Sequence, residues 1–362
     1  MSIDQPTDVR KGEQLDEVTL HTYLKQHIAP LDSQRDGGSL TIRQFPGGFS
    51  NLTYFLSDGE REYVLRRPPV GANVKGGHDM GREFRVLEAL APTAVKVPAP
   101  LHYCEDESII GAPFYVMERV QGIILRSQPP KGLTLSPELM QGLSEATVDQ
   151  MVALHQIDLQ ASGLAALSKG EGYVQRQVGG WTSRYQKSKT DEIEDMETVA
   201  QWLQANMPAD RPEAFIHNDY KYDNLVLNPE DLSEIIAILD WEMATVGDPL
   251  MDLGTTLAYW AEGTDPDALK PFNLTWMPGN LDRQGVIDRY FAQSGQEAVD
   301  MVFYYAFGSF KVAVIAQQIY ARFKAGLTKD PRFGMLIHVV RACARNAALA
   351  ISKQRISGLH QD

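Results

Sequence analysis

The chain has 362 residues, 43% of them hydrophobic, enough for one large domain or two lobes with a substantial core. A formal net charge of −13 disfavours a general nucleic-acid binder, which needs a basic surface, but not a small phosphorylated ligand held in a local basic pocket. Cys104 and Cys343 are the only cysteines, too few for a disulfide framework or, alone, a structural zinc site. The polar N-terminus MSIDQPTDVRKGEQLDE has no apolar core, so no signal peptide is expected. No run approaches 18 uncharged apolar residues, so no membrane partner is expected. These features set the expectation of a cytoplasmic globular protein, by its size an enzyme.

In chain order, Val18, Leu20, Leu24 and Ile28 predict a short helix over 16–28. Residues 39–69 read as strand, Gly turn, strand, Asp58-Gly59 turn and strand, the Asp-Gly pair being a hairpin signal. A helix over 78–92 carries Phe84, Leu87 and Leu90 and stops at Pro92; strands follow near 100–105 and over 113–120. The first third is thus a small antiparallel sheet with one inserted helix. From about 135 the pattern is helical: 136–157 with Ser136 as N-cap, 171–188, 191–207, and then near 249–260, 282–294, 296–325 and 331–355. A polar loop and the strand EIIAILDWE, 234–242, interrupt the helices once.

That loop carries the chemistry. FIHNDYKYDNLVLN, 215–228, places His217, Asp219, Lys221 and Asn224 in the pattern H-x-D-x-K-x-x-N between apolar runs. Asp240 follows sixteen residues after Asn224, at the end of the apolar run IIAIL. A carboxylate and an amide oxygen from adjacent strand ends suit Mg²⁺, a hard cation that keeps waters and substrate phosphates. A second carboxylate close by could orient or deprotonate a hydroxyl. Each residue alone fits a polar turn between buried strands. The spacing together with Asp240 matches the H-R-D-x-x-x-x-N loop and metal-binding Asp of protein kinases.

From about 40 to 355 the chain resembles the aminoglycoside phosphotransferase-like, or choline-kinase-like, branch of the protein kinase-like fold. ILDWEMATVGDPLMDLG is close to that family's second signature, with Asp-Trp-Glu where protein kinases have Asp-Phe-Gly. YVLRRPP, REFRVLEAL and PFYVMERVQG resemble the subset associated with acyl-CoA dehydrogenases. No flavin-enzyme pattern is present, so dehydrogenase chemistry is not expected. The resemblance implies an α+β bilobal fold. Its small antiparallel N-terminal lobe, 1–119, would bind nucleotide, and its large helical lobe, 120–362, would carry catalysis and substrate.

It also implies roles. Asp219 becomes the catalytic base, and Asn224 and Asp240 the Mg²⁺ ligands. His217 becomes a support of the loop, and Asn218 stands where the family more often has Gly. Lys221 reaches the transferred phosphoryl or is a solvated lysine. In FPGGFSN, Gly47, Gly48 and Ser50 cover the ATP phosphates or form a plain hairpin turn. Strand alternation puts Val64 and Arg66 on one face, Val64 over adenine and Arg66 toward the phosphates. Arg66 departs from the family's Lys; its forked guanidinium stays charged at any relevant pH. Glu83 is its natural partner and Glu88 a second candidate. Adenine is expected at the Glu118 carbonyl and the Val120 amide, with Met117 in the core beside them. Asp248 and Asp252 read as a helix cap and a helix-interior residue rather than as further metal ligands.

The expected activity is transfer of the γ-phosphoryl of ATP to a hydroxyl of a small molecule, a hydroxyacyl-CoA or related hydroxy acid. The alternatives are a nucleotide-binding pseudokinase, which Arg66 favours, and an aminoglycoside- or choline-type kinase. Lys311, Arg322, Lys324, Arg341, Arg345, Lys353 and Arg355, with Tyr173, Arg176, Trp181, Arg184 and Tyr185, fit an anionic acceptor or ordinary solvated helix faces. The oligomeric state is not legible in the sequence.

Overall fold

The computed structural model describes residues 5–32, 40–46, 51–69, 78–328 and 330–361. The chain divides into two compact units. The first joins Met1–Ile124 to Val226–Glu230 and Ile235–Met243; the second holds Leu125–Leu225, Asp231–Glu234 and Ala244–Asp362.

The first unit is built on five antiparallel strands: β1 (Thr41–Gln44), β2 (Leu52–Ser57), β3 (Glu62–Arg67), β4 (Pro100–Cys104) and β5 (Phe114–Glu118), in the order β1-β2-β3-β5-β4. Period-two alternation divides β3 between two environments. Tyr63 and Leu65 enter the apolar core with Tyr54, Leu56, Phe114 and Val116, where α1 (Glu17–His27) contributes Leu20 and Leu24. Val64 and Arg66 take the opposite face, Val64 beside Phe55 and Met117, Arg66 beside Thr53 and Tyr115. The Asp58-Gly59 turn forms as predicted, with Gly59 at φ +94° and Asp58 Oδ1 accepting from Arg61 N at 2.7 Å. Asp16 caps α1 and a single turn, α2 (Ala29–Asp32), follows it. Asp79 caps α3 (Met80–Leu90), which inserts after β3 as expected.

The second unit is mostly helical: α4 (Pro137–His155), α5 (Tyr173–Ser188), α6 (Glu194–Ala205), α7 (Pro249–Tyr259), α8 (Arg283–Ser294), α9 (Val302–Lys324) and α10 (Leu336–Lys353). Ser136 caps α4, as its position predicts. Helix α9 begins at Val302, not 296. Gly295 closes α8 in a left-handed conformation, and Asp300 Oδ1 accepts from Val302 N, so the chain turns before the helix starts. Likewise 331–335 is a 3-10 turn and α10 starts at Leu336. The segment 331–353 is long and apolar enough to cross a membrane by length and composition. One face of α10 is buried, with Val340, Cys343, Ala344 and Ala347 inside.

Helices α7 and α9 cross in backbone contact. A Cβ on Gly254 would lie 2.2 Å from Tyr304 O, and one on Gly308 2.1 Å from Gly254 O. Only glycine permits that approach.

The short β elements differ from the expected single patch. β6 (Ala214–Ile216) pairs with β9 (Thr245–Gly247), and β7 (Leu225–Leu227) with β8 (Ile235–Ile238). β9 has only three residues and no readable alternation. The strand predicted over 234–242 ends at Ile238, because Asp240 adopts φ +67° and Trp241–Met243 form a 3-10 turn.

Candidate active site

In the second unit the loop from His217 to Asn224 is held from below by one buried carboxylate. Asp252, on α7, is fully buried; its Oδ2 accepts from His217 N at 2.8 Å and its Oδ1 from Asn218 N at 2.7 Å. His155 Nε2 is 3.1 Å from Oδ2, while His155 Nδ1 is 2.8 Å from the Tyr290 hydroxyl. The consistent assignment has His155 donating to Asp252 and Tyr290 donating to His155. Burial works against ionisation of Asp252, but the His155 hydrogen bond, the nearby imidazoles and the His217 amide together hold its carboxyl below the usual value. Asp248 caps α7, its Oδ1 accepting from Leu250 N. Both acids thus take structural positions.

Asn218 adopts φ +68°. Asparagine tolerates the left-handed region better than most residues, which explains how it stands where the family more often has Gly. His217 is buried and its Nδ1 accepts from Asp219 N at 3.2 Å, a loop-supporting contact. Two donors converge on Asp219 Oδ2: Lys221 Nζ at 2.6 Å and Asn224 Nδ2 at 3.1 Å. Asn224 Nδ2 also donates to Asp219 O at 2.8 Å, which leaves the amide oxygen as its ligand atom. Lys221 is not a solvated lysine. It lies 4.7 Å from the Tyr259 ring centroid, and although burial works against its charge, Asp219, Tyr259 and Asp223 raise its pKa.

In the first unit, Arg66 is the centre. Its NH2 nitrogen lies 3.1 Å from Asp240 Oδ1 and 3.9 Å from Glu242 Oε2, and its Nε 3.5 Å from Glu83 Oε2. Glu83 is therefore one ion-pair partner, and Asp240 makes the shorter contact; Glu88 is exposed. Tyr115 donates to Glu83 Oε2 at 2.7 Å, and Asn51 Nδ2 donates to Glu83 Oε1 at 3.2 Å and to Glu242 Oε2 at 3.0 Å. Burial opposes the charge on Arg66, but Glu83, Tyr115, Asp240 and Glu242 outweigh it and keep the guanidinium protonated. Burial pushes the Glu83 carboxyl up, against the pull of Arg66 and Tyr115. Sequence reasoning missed Glu242, Asn51, Tyr115, His155 and Tyr290. For Glu242, adjacency to the Asp-Trp pair was the available signal.

Val64 and Met117 are buried and face each other across β3 and β5. Glu118 ends β5, its amide donating to Ala99 O at 2.9 Å, and Val120 follows, half-buried. Gly47, Gly48 and Ser50 lie outside the described residues.

The residues fit a nucleotide and a hard cation by their chemistry. Arg66 Nε is buried, makes no hydrogen bond among the described residues and keeps only the ion pair with Glu83, while the forked guanidinium is of the kind that matches a phosphate. The Asn224 amide and the Asp240 carboxylate supply hard oxygens. Among the described residues no group of three or more His, Cys, Asp or Glu side chains could hold a metal ion alone. Mg²⁺ bound by a few protein oxygens plus water and phosphate needs no such group.

A clamped H-x-D-x-K-x-x-N loop in a helical unit and an Arg–Glu pair on a five-stranded antiparallel unit define a kinase-like phosphotransferase. The chain belongs to the phosphotransferase enzyme family APH, whose model matches residues 41–283. Acyl-CoA dehydrogenase family member 11 of Homo sapiens is 35% identical over 354 residues, covering 97% of this chain and 45% of the relative. The chain thus spans less than half the length of that curated relative. A solved chain from Ralstonia eutropha JMP134, provisionally described as an aminoglycoside phosphotransferase, is 31% identical with a TM-score of 0.79, covering 94% of this chain and 99% of its own. A thermostable mutant of aminoglycoside phosphotransferase APH(4)-Ia, solved with AMP-PNP and hygromycin B, shares the fold at 15% identity and TM-score 0.55, covering 90% and 98%.

Proposed function

We propose that this protein transfers the γ-phosphoryl group of ATP to a hydroxyl of an anionic small molecule, a hydroxyacyl-CoA or hydroxy acid. The observation that carries the reading is the convergence of Lys221 and Asn224 on Asp219 Oδ2, in a loop whose preceding amides are fixed by Asp252. In this reading Asp219 orients the acceptor hydroxyl and takes its proton as the oxygen attacks phosphorus. Lys221, charged and within 2.6 Å of Asp219, is placed to neutralise negative charge that develops on the transferred group. Arg66 holds the nucleotide phosphates, Val64 and Met117 line the adenine position, and the backbone at Glu118 and Val120 reads the base. A bound Mg²⁺ would supply charge neutralisation and alignment of the phosphates, with the Asn224 amide oxygen and the Asp240 carboxylate as its candidate ligands. Catalysis is then mainly positioning and electrostatics.

The acceptor class is supported by two features. The relative's name points to acyl-CoA metabolism, and the helical unit carries Arg184 and Lys311 without carboxylate partners among the described residues. Buried, unpaired Cys104 and Cys343 are compatible with the cytoplasm as the site of action. A second reading, nucleotide binding without transfer, draws on Arg66, where the family has Lys and where three carboxylates engage the guanidinium. The test is ADP release from ATP with kanamycin, choline and 3-hydroxybutyryl-CoA at equal concentration. Turnover of the CoA ester or its free acid above the other two supports the proposal. Turnover of kanamycin alone overturns the acceptor class. Binding of nucleotide with no turnover on any hydroxylated metabolite favours the second reading.

A further inference from the structure

The helical unit contains two cations that share one aromatic ring and form no ion pair within 4.0 Å among the described residues. Lys311, on α9, is 2% exposed, and its Nζ lies 5.8 Å from the Trp181 ring centroid. Arg184, one turn along α5 from Trp181, places its guanidinium carbon 4.7 Å from the same centroid. Neither makes an ion pair within 4.0 Å among the described residues, whereas Arg283, Arg289 and Lys324 in the same unit each reach a carboxylate. Burial pushes the Lys311 ammonium down, Asp252 and Asp219 pull it back up from farther than an ion pair, and Lys221 and Arg184 add to the depression. A buried ammonium without an ion-paired carboxylate is costly, and the attraction of each cation to the indole face offsets only part of that cost. A perturbed buried cation beside an exposed one is a candidate for holding an anionic group.

The position of the pair says what supplies it. Lys311 Nζ donates to Asn218 O at 2.9 Å and to Asn218 Oδ1 at 3.1 Å, and Asn218 is the residue immediately before Asp219. Asn218 Nδ2 in turn reaches the Tyr173 hydroxyl at 3.5 Å, so α5 and α9 both touch the residue preceding the base. The ammonium has one N–H beyond those two contacts. Arg184 is exposed and open to an incoming ligand.

We propose that Arg184, Lys311 and Trp181 form the subsite that holds the anionic oxygen group of the acceptor beside Asp219. This rests on the reading of Asp219 as the base. The short separation between Lys311 and the base requires an acceptor whose charge and reactive hydroxyl lie a few bonds apart. The carboxylate of a short hydroxy acid meets that requirement. The phosphates of a CoA ester offer the same anionic chemistry from much farther along the molecule. Trp181 covers the carbon chain between the two ends, and the Arg184 fork grips the carboxylate bidentately.

The experiment uses the full chain and Arg184→Gln and Arg184→Glu, with 3-hydroxybutyrate, its neutral N-methylamide and 3-hydroxybutyryl-CoA. Calorimetry without nucleotide measures binding, and mass spectrometry of the phosphorylated product with MgATP gives KM and kcat. Arg184→Gln is expected to weaken binding of the acid about tenfold and the amide much less, so that the preference for the acid collapses. Arg184→Glu is expected to reverse that preference. Loss confined to the CoA ester assigns the same subsite to the CoA phosphates. Binding of the acid that depends on Arg184, with no product from any acceptor, supports the subsite and overturns the phosphotransfer reading alone. An acid-over-amide preference equal in wild type and both variants, or no measurable binding of either anion to wild type, overturns the subsite.

Discussion

Asp252→Asn isolates what holds the catalytic loop. The change is nearly isosteric, yet the carboxylate serves three donors: His217 N at 2.8 Å, Asn218 N at 2.7 Å and His155 Nε2 at 3.1 Å. An amide side chain has one oxygen. With that oxygen toward Asn218, its NH2 group faces the His217 amide donor. His155 can change tautomer and accept, but the His217 N–H cannot. Loss of a charged acceptor costs about 1.5–3 kcal/mol, and one buried unsatisfied donor costs a further ~1–3 kcal/mol. The expected destabilisation is therefore about 2.5–6 kcal/mol, a large part of a typical total of about 5–15 kcal/mol. Because Asp219 follows directly on the two clamped amides, a shift of the loop by about 1 Å is expected to lower kcat about 100-fold. Urea unfolding followed by circular dichroism measures the first quantity, and phosphorylated product the second. The pH dependence provides a sign test. Asp252 is held below its ordinary value of 3.8, so its contribution is complete above that pH and is lost as pH falls through its lower folded value. The gap between wild type and variant should narrow below about pH 4. A variant within 1 kcal/mol of wild type with unchanged kcat refutes the clamp.

Asp240→Ala is expected to abolish Mg²⁺-supported nucleotide binding while the five-stranded sheet remains folded; unchanged MgATP affinity by calorimetry removes Asp240 as a metal ligand. Gly308→Ala places a methyl group within 2.1 Å of Gly254 O and is expected to cost at least ~1–3 kcal/mol in the urea midpoint; a neutral effect contradicts the backbone contact between α7 and α9. Burial, opposed by Asp252 and Asp219 and assisted by Lys221 and Arg184, pushes the Lys311 ammonium down to about 8. Affinity for an anionic acceptor should therefore fall as pH rises through about 8. Lys311→Met should lose that dependence, which calorimetry across pH checks.

Much of this was legible in the sequence because the signals were local. The H-x-D-x-K-x-x-N spacing announced a polar loop with one base and one amide ligand, and β3 alternation placed Val64 and Arg66 on one face. Glu83 was identified because it lies on the helix inserted after β3. The Asp252 clamp was not legible, since it joins residues 34 and 35 positions apart and completes itself through His155, another 97 positions away. A mid-helix Asp gives no local sign of the amides it serves. β9 has three residues, too few for a period-two pattern. Lys311 read as one more cation on a helix face, because burial of α9 on nearly all sides through its first half is set by α7, α5 and α10 packing around it. The left-handed turns at Asn218 and Asp240 could be read only from the backbone.

The central claim is phosphoryl transfer to an anionic hydroxy compound with Asp219 as base. It is tested most directly by incubating wild type and Asp219→Asn with MgATP and 3-hydroxybutyrate or its CoA ester, following the phosphorylated acceptor by mass spectrometry and nucleotide affinity by calorimetry. The account predicts product from wild type, about 10²–10⁴-fold slower turnover in the variant, and nucleotide affinity retained. Product formed by Asp219→Asn at a rate within twofold of wild type contradicts it.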